Sequence, residues 1–236
     1  MANRPAYSTV EESAKWVTKA DRAYDGLRHA ILTGALGPKE QINPKEVAAE
    51  FGMSVIPVRE ALRRLEQEGL VVIRPHIGAA VRELPVAEQK ENLLIRSELE
   101  ALAARLAAPL MDDETLNRLQ DLLEQGQLCI DEKRYEQFGA LNREFHMVSY
   151  DVIAERSLLR LIEQQWDQVP RAASVFALVP EHAIIAQQEH VALLDAFRRR
   201  DAEMAANLTR EHKLRARDVQ QNAVDTISPD RSEPAA

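Results

Sequence analysis

The sequence predicts a mainly α-helical protein built in two parts. The first is an N-terminal winged helix-turn-helix with a small β-hairpin wing, and the second is a C-terminal antiparallel six-helix bundle. Three observations predict this. Between Asn43 and Val81, two short helical patterns are joined by a tight turn and followed by a hairpin pattern. From Pro85 onward, apolar residues recur at three- and four-residue steps, the period of a helix packed on one face. Ala and Leu are abundant while aromatics make up only 5%, a composition that favours helix.

Bulk properties narrow the function classes. A chain of 236 residues, 45% of them apolar, can bury one large core or two modest ones. A single cysteine, Cys129, excludes an internal disulfide framework and a four-cysteine zinc site. No apolar run approaches the ~18 residues that a bilayer span needs, and the first residues carry no signal-peptide core. No membrane partner is expected, and the expected compartment is the cytoplasm. The net charge of −8 conceals an asymmetry: residues 1–82 hold 12 Lys and Arg against 10 Asp and Glu, whereas residues 83–236 hold 18 against 28. Contact with phosphates depends on such local balance rather than on the whole-chain charge.

Residues 1–19 show no clear period and read as an N-terminal arm. From Ala20 to Thr33, the residues Ala23, Tyr24, Leu27, Ala30 and Ile31 define one amphipathic helix, stopped by Gly34 and the Gly37-Pro38 loop. The next helix starts with Asn43 as cap, Pro44 at the first helical position and Glu46 where a capping-box carboxylate belongs; Gly52 ends it. Only Met53 separates that glycine from the next cap, Ser54, so the two helices must cross steeply. The third helix, Ser54 to about Gln67, buries Val58, Ala61, Leu62 and Leu65 and leaves Arg59, Arg63 and Arg64 outside. After Gly69, the β-rich runs 70–74 and 79–82 are joined by Pro-His-Ile-Gly, a wing. The domain is therefore placed at 20–82, with a linker at 83–85.

The second part, placed at 86–222, reads as six helices: 86–110, 112–133, 134–154, one marked by Leu158 to Trp166, 181–200, and one capped by Asp201 that reaches about Val219. Residues 171–180 read as a loop or broken helix, and 223–236 as a disordered tail.

The run Val-Arg-Glu-Ala-Leu-Arg-Arg-Leu-Glu at 58–66, followed by Gly69-Leu70 and Arg74-Pro75-His76, resembles the GntR family of bacterial transcription regulators. The order of features in the second part resembles the effector domain of that family's FadR branch, and six helices resemble its VanR-type subgroup. The resemblance implies a homodimeric, effector-controlled regulator, expected to be a repressor, that binds an inverted-repeat operator in double-stranded DNA. It implies DNA contact at Lys45, Ser54, Arg59, His76 and Gly78, with Arg63 on the face of Arg59 four residues on. Arg63 and Arg64 read equally as partners of Glu60, Glu66 or Gln67. The sequence departs from the family at the tip of the recognition helix. Members commonly carry Ser-Arg-Thr-Pro there, and this chain has Ser54-Val55-Ile56-Pro57; Ile77 replaces a frequent cation in the wing. Val55 and Ile56 cannot donate hydrogen bonds but can pack on thymine methyl groups, so a non-standard operator is expected.

In the second part, Asn142 and His146 lie one helical turn apart, His190 is 44 residues beyond His146, and His212 a further 22. Spacing alone carries no zinc-finger pattern, and each histidine by itself reads as a hydrogen-bonded core or surface residue. By resemblance, His146, His190 and His212 are the metal ligands, and Asn142 stands where the family usually has an Asp. Three imidazoles with a neutral amide imply a divalent ion, with Zn²⁺ or Ni²⁺ expected. Arg96 resembles a position that holds a small carboxylate effector through its guanidinium fork; paired with Glu100, one turn on, it reads instead as an ion pair. Arg171 is a weaker effector candidate, His182 reads as a helix-start residue, and Tyr135, Phe138 and Trp166 read as core. A metal-dependent enzyme acting on organic acids is the competing reading. It lacks an HExxH, a phosphate loop and a nucleophile elbow, and leaves the head unexplained. A regulator with a structural metal and no effector is a third.

Overall fold

The computed structural model describes residues 18–74, 77–83, 85–168, 176 and 179–227. The chain divides into two compact units, Met1–Leu84 and Pro85–Ala236.

In the first unit, α1 (Lys19–Thr33) begins at a capping box. The Thr18 hydroxyl accepts from Asp21 N at 3.1 Å, and the Asp21 carboxylate accepts from Thr18 N at 3.0 Å. The helix thus starts inside the stretch assigned to the arm, because an aspartate does the work usually given to Glu or Gln. α2 (Pro44–Glu50) is capped by Asn43, whose Oδ1 accepts from Lys45 N at 3.0 Å. Glu46 accepts from the Asn43 amide at 2.7 Å rather than from its backbone. Gly52, at φ 63°, makes the left-handed turn into α3 (Val55–Gln67), whose first turn contains Pro57. Val58, Ala61, Leu62 and Leu65 of α3 are buried in one core with Ala23, Leu27 and Ala30 of α1 and Val47 and Ala48 of α2. A methyl group at Gly26 would collide with the Phe51 ring, so this mid-helix glycine keeps α1 close to the end of α2.

The wing strands are β2 (Val71–Arg74) and β3 (Gly78–Val81), paired antiparallel. A two-residue strand that the sequence did not announce, β1 (Gln41–Ile42), adds to β3, giving the order β1-β3-β2. Ile42 is buried beneath the sheet and ties the wing to the helical core. Two residues are too few to show a strand period, so only the pairing reveals it.

The second unit holds six α-helices among the described residues: α4 (Val86–Ala107), α5 (Asp113–Asp131), α6 (Tyr135–Tyr150), α7 (Arg156–Gln168), α8 (Pro180–Arg198) and α9 (Ala202–Ile227). The first ends earlier than expected: Ala108–Leu110 tightens into a 3-10 turn, where Pro109 lacks the N–H that an α-helix would use. Asp112 caps α5 by accepting from Thr115 N at 2.8 Å, and Asp201 accepts from Met204 N at 3.0 Å at the start of α9. α9 runs to Ile227, past the expected end near Val219 and into the assigned tail, since no Gly or Pro interrupts it before Pro229. α4 packs along α9, and both carry buried small residues, Ala101, Ala104 and Ala107 on α4 and Ala205 and Ala206 on α9. α6 lies against α4, α5 and α8, placing its buried face at the centre of the bundle.

Candidate metal centre and DNA-reading surface

The candidate reading surface of the first unit is the outer side of α2 and α3 with the wing. Lys45, Ser54, Arg59 and Arg63 are exposed there, and Val55 is half-buried. Ser54 takes the N-cap position without a side-chain capping bond, which leaves its hydroxyl available. Ile56, at 78% exposure, and Ile77, at 66%, are the two most exposed large apolar side chains among the described residues. Gly78 opens β3 at φ 115°, a conformation open to glycine. His76 lies outside the described residues.

The three arginines of α3 separate. Among the described residues, Arg59 and Arg63 make no ion pair. Arg64 instead reaches Asp21 of α1 at 2.7 Å and lies 4.1 Å above the Tyr24 ring, whose hydroxyl donates to Glu68 at 2.7 Å. Arg64 therefore fastens α1 to α3, and its partner is neither Glu60, Glu66 nor Gln67. The Asp21 carboxyl is held down at about 2 by hydrogen bonds from Thr18 and Arg64.

In the second unit, α6, α8 and α9 bring His146, His190 and His212 together, each 5% exposed or less. His146 Nε2 lies 3.2 Å from His190 Nε2 and 3.3 Å from His212 Nε2. The outer nitrogens decide what those inner ones can do. His212 Nδ1 lies 2.7 Å from the Glu189 carboxylate, which only accepts, so that nitrogen carries the hydrogen. His146 Nδ1 lies 3.2 Å from the Tyr150 hydroxyl, and Tyr150 donates its own proton to Glu100 at 3.2 Å. His146 therefore donates through Nδ1 as well. Both Nε2 atoms present lone pairs to one another, a repulsive arrangement until a cation lies between them.

A proton is a poor choice for that cation. Burial, then the neighbouring cation Lys213, push the His146 and His212 pKa values well below the usual imidazole range, and burial and His212 do the same to His190. A divalent ion suits neutral imidazoles. Asn142, one turn before His146, keeps its Oδ1 buried without a partner, so an oxygen donor is also spare. The donor set thus fits a metal.

Arg96 adopts the ion-pair alternative. Its Nε donates to Glu100 Oε1 at 2.8 Å, both residues are buried, and its guanidinium lies 3.5 Å from the Trp166 ring centre. Lys213 Nζ approaches Glu100 Oε2 at 3.1 Å and stands 4.7 Å from the same ring. Burial would raise the Glu100 carboxyl, but Lys213 and Arg96 hold it below the usual range. Burial outweighs Glu100 at Lys213 and lowers the ammonium to about 7. Arg171 lies outside the described residues. His182 is buried and stacks on Phe176 with ring centres 5.2 Å apart, so it is an interior residue as well as a helix-start one.

Sequence reading missed Glu189 as an orienting carboxylate, Tyr150 and Lys213; Trp166 lies in the core as expected, and its ring also packs against Arg96 and Lys213. A signal was present. Lys213 falls on the buried stripe of α9 with Ala205, Ala206, Thr209 and His212, a position where an unpaired lysine has no reason to be.

Two family models match the chain: bacterial regulatory proteins of the gntR family over residues 19–81, and the FCD domain over residues 91–215. The HTH-type transcriptional repressor RspR of Escherichia coli is 27% identical over 191 residues, 80% of this chain and 83% of that protein. The HTH-type transcriptional regulator McbR of E. coli is 34% identical over 152 residues, 64% of this chain and 69% of that protein. A solved structure of E. coli McbR/YncC superposes with a TM-score of 0.77, at 27% identity, over 89% of this chain and all 100% of that one. Winged head, histidine-centred bundle and these matches agree: the chain is a transcription regulator of the gntR family, in the FadR-like branch that carries an FCD domain.

Proposed function

We propose that the protein is a ligand-responsive transcriptional repressor, acting in the cytoplasm as a homodimer on an inverted-repeat operator. In this reading a divalent metal, Zn²⁺ or Ni²⁺, is held by His146, His190 and His212 with Asn142 as a neutral fourth donor, and a small carboxylate effector is sensed beside it. One observation carries the reading: imidazole Nε2 atoms meet at 3.2–3.3 Å with the hydrogens of His146 and His212 directed outward. Glu189 and Tyr150 are then the groups that orient two of the ligands. Repression is supported by the relative named a transcriptional repressor.

On the DNA side, Lys45, Ser54, Arg59, Arg63, His76 and the backbone at Gly78 contact the phosphates and base edges, while Val55 and Ile56 lead the recognition helix. Exposure of Lys45, Ser54, Arg59 and Arg63, and the absence of ion pairs at Arg59 and Arg63 among the described residues, support this. Arg171 is carried as an effector contact by resemblance only.

The test is metal content by mass spectrometry after chelation and reloading. The wild-type protein should hold one ion per chain, and His190→Ala and His212→Ala should hold none. Undiminished metal in both variants would overturn the assignment. A thermal-shift screen of organic acids, with and without chelator, then separates an effector-responsive centre from a purely structural one.

A further inference from the structure

The wing carries a residue that the reading above leaves without a role. Ile77 stands where the hairpin closes: its N–H donates to Arg74 O at 3.2 Å, and Arg74 pairs with Gly78 beside it. Residues that close a hairpin are usually polar or Gly, yet this isoleucine is 66% exposed and takes no part in the apolar core beneath the wing. A lone exposed apolar side chain needs no explanation. Here, however, the two highest exposures among the described large apolar residues, Ile56 and Ile77, fall on the same candidate reading surface; the next, Leu128 at 55%, belongs to the other unit. The hairpin that holds Ile77 is thin and braced. β3 opens with Gly78-Ala79-Ala80, so that strand carries no bulky side chain behind it. Gly78 leaves bare backbone next to it, and a Cβ there would meet nothing within 4 Å. At the base, Lys39 N donates to Val81 O at 3.0 Å and Val81 N to Glu40 O at 2.9 Å. Glu66 of α3 accepts from Ile73 N at 3.0 Å, which fixes β2 to the recognition helix. Arg74, Arg59 and Arg63 are exposed on the same surface and supply cations for phosphate contact.

We propose that Ile77 is an apolar wedge: the wing enters the minor groove beside the α3 site, and Ile77 inserts between two stacked base pairs, opening that step and bending the duplex toward the major groove. A minor groove about 6 Å wide admits a strand of Gly and Ala more readily than one of larger residues. An isoleucine side chain makes no hydrogen bond to base edges or phosphates, so what it recognises is how easily a step opens. Pyrimidine–purine steps, TA and CA/TG, open at the least cost, and A-tracts are stiff. Burying the side chain gains free energy of the same order as the cost of unstacking one step, so insertion is favourable at a soft step and unfavourable at a stiff one. Specificity thus arises at base pairs to which the side chain makes no bond. This inference rests on the DNA side of the reading given under Proposed function. It adds a second apolar reader, which senses duplex deformability where Ile56 senses thymine methyl groups.

The experiment uses the full-length protein and the duplex it selects from a random pool. 2-Aminopurine is placed singly at each adenine flanking the half-sites, and the bend is measured by energy transfer between the duplex ends, both at saturating protein. Wild-type protein should raise 2-aminopurine emission at one step per half-site and bend the duplex by about 20° or more. Ile77→Ala should lose the emission rise and the bend, whereas Ile77→Leu, which keeps a wedge, should retain both. Replacing the opened step by A-tract sequence should weaken wild-type binding about tenfold and Ile77→Ala binding less than about twofold. Both variants change an exposed side chain, and thermal melts check that they fold as the wild type does. A selected duplex that stays stacked and straight under bound wild-type protein, or distortion kept in Ile77→Ala, overturns the proposal and leaves the DNA-reading surface intact. Absence of any salt-sensitive duplex from the selection overturns the DNA reading itself.

Discussion

At the scale of residues, neighbouring arginines on one helix have different work. Arg59 and Arg63 face solvent without ion pairs among the described residues, while Arg64 binds Asp21 and covers Tyr24. Arg59→Ala should therefore weaken duplex binding and lower its salt dependence by about one counterion while leaving the melting temperature unchanged. Arg64→Ala should do the reverse, lowering the melting temperature by about 2–4 °C with operator preference intact. Anisotropy titrations at several salt concentrations, set beside thermal melts, separate the two. The same residue-scale logic explains why some of the site was hidden. His146, His190 and His212 could be named from the sequence by resemblance, but Lys213 and Tyr150 owe their roles to packing. Each becomes chemical only because α4 delivers Glu100 to it across the bundle. Nothing in the local sequence of either residue encodes that meeting.

At the scale of elements, caps and glycines proved to be the most legible features. Asn43, Gly52 and Asp201 each stand where a helix starts or turns, since the chemistry of a helix end is written within three residues of it. What depends on a distant partner was not legible: β1 exists only through its pairing with β3, and α9 outlasts its apolar stripe because nothing breaks it. The recognition helix carries a prediction at this scale. Its leading turn presents Ile56 at 78% exposure, a side chain that gains from an apolar partner and can make no hydrogen bond. In an operator obtained by selection from random duplexes, replacing thymine by uracil at the positions facing α3 should weaken binding, by about 1 kcal/mol per critical methyl group. Ile56→Thr should lose that sensitivity. Selection of half-sites with no thymine facing α3, or no response to uracil, would contradict an apolar reading tip.

At the scale of the whole molecule, burial of three neutral imidazoles ties stability to pH. The folded-state pKa values of His146, His190 and His212 lie well below 6.5. In the unfolded chain these rings take up protons as pH falls through about 6.5. The unfolded state then binds more protons than the folded one, so the contribution of these rings to stability is complete above that pH and is lost progressively below it. Metal-free protein should melt at a distinctly lower temperature at pH 5.5 than at pH 7.5, and replacing the three histidines together should flatten that slope. A slope that survives the triple replacement would place its cause elsewhere.

The proposed function couples a histidine-centred, carboxylate-sensing domain to a DNA-reading head in one chain. Its most direct test is the affinity of metal-loaded protein for its selected inverted-repeat duplex, measured by anisotropy while titrating an organic acid that raises the melting temperature. The acid should weaken duplex binding by about tenfold or more, and chelation or His146→Ala should abolish the response. Duplex affinity that stays the same with metal and acid present, removed or blocked would contradict it.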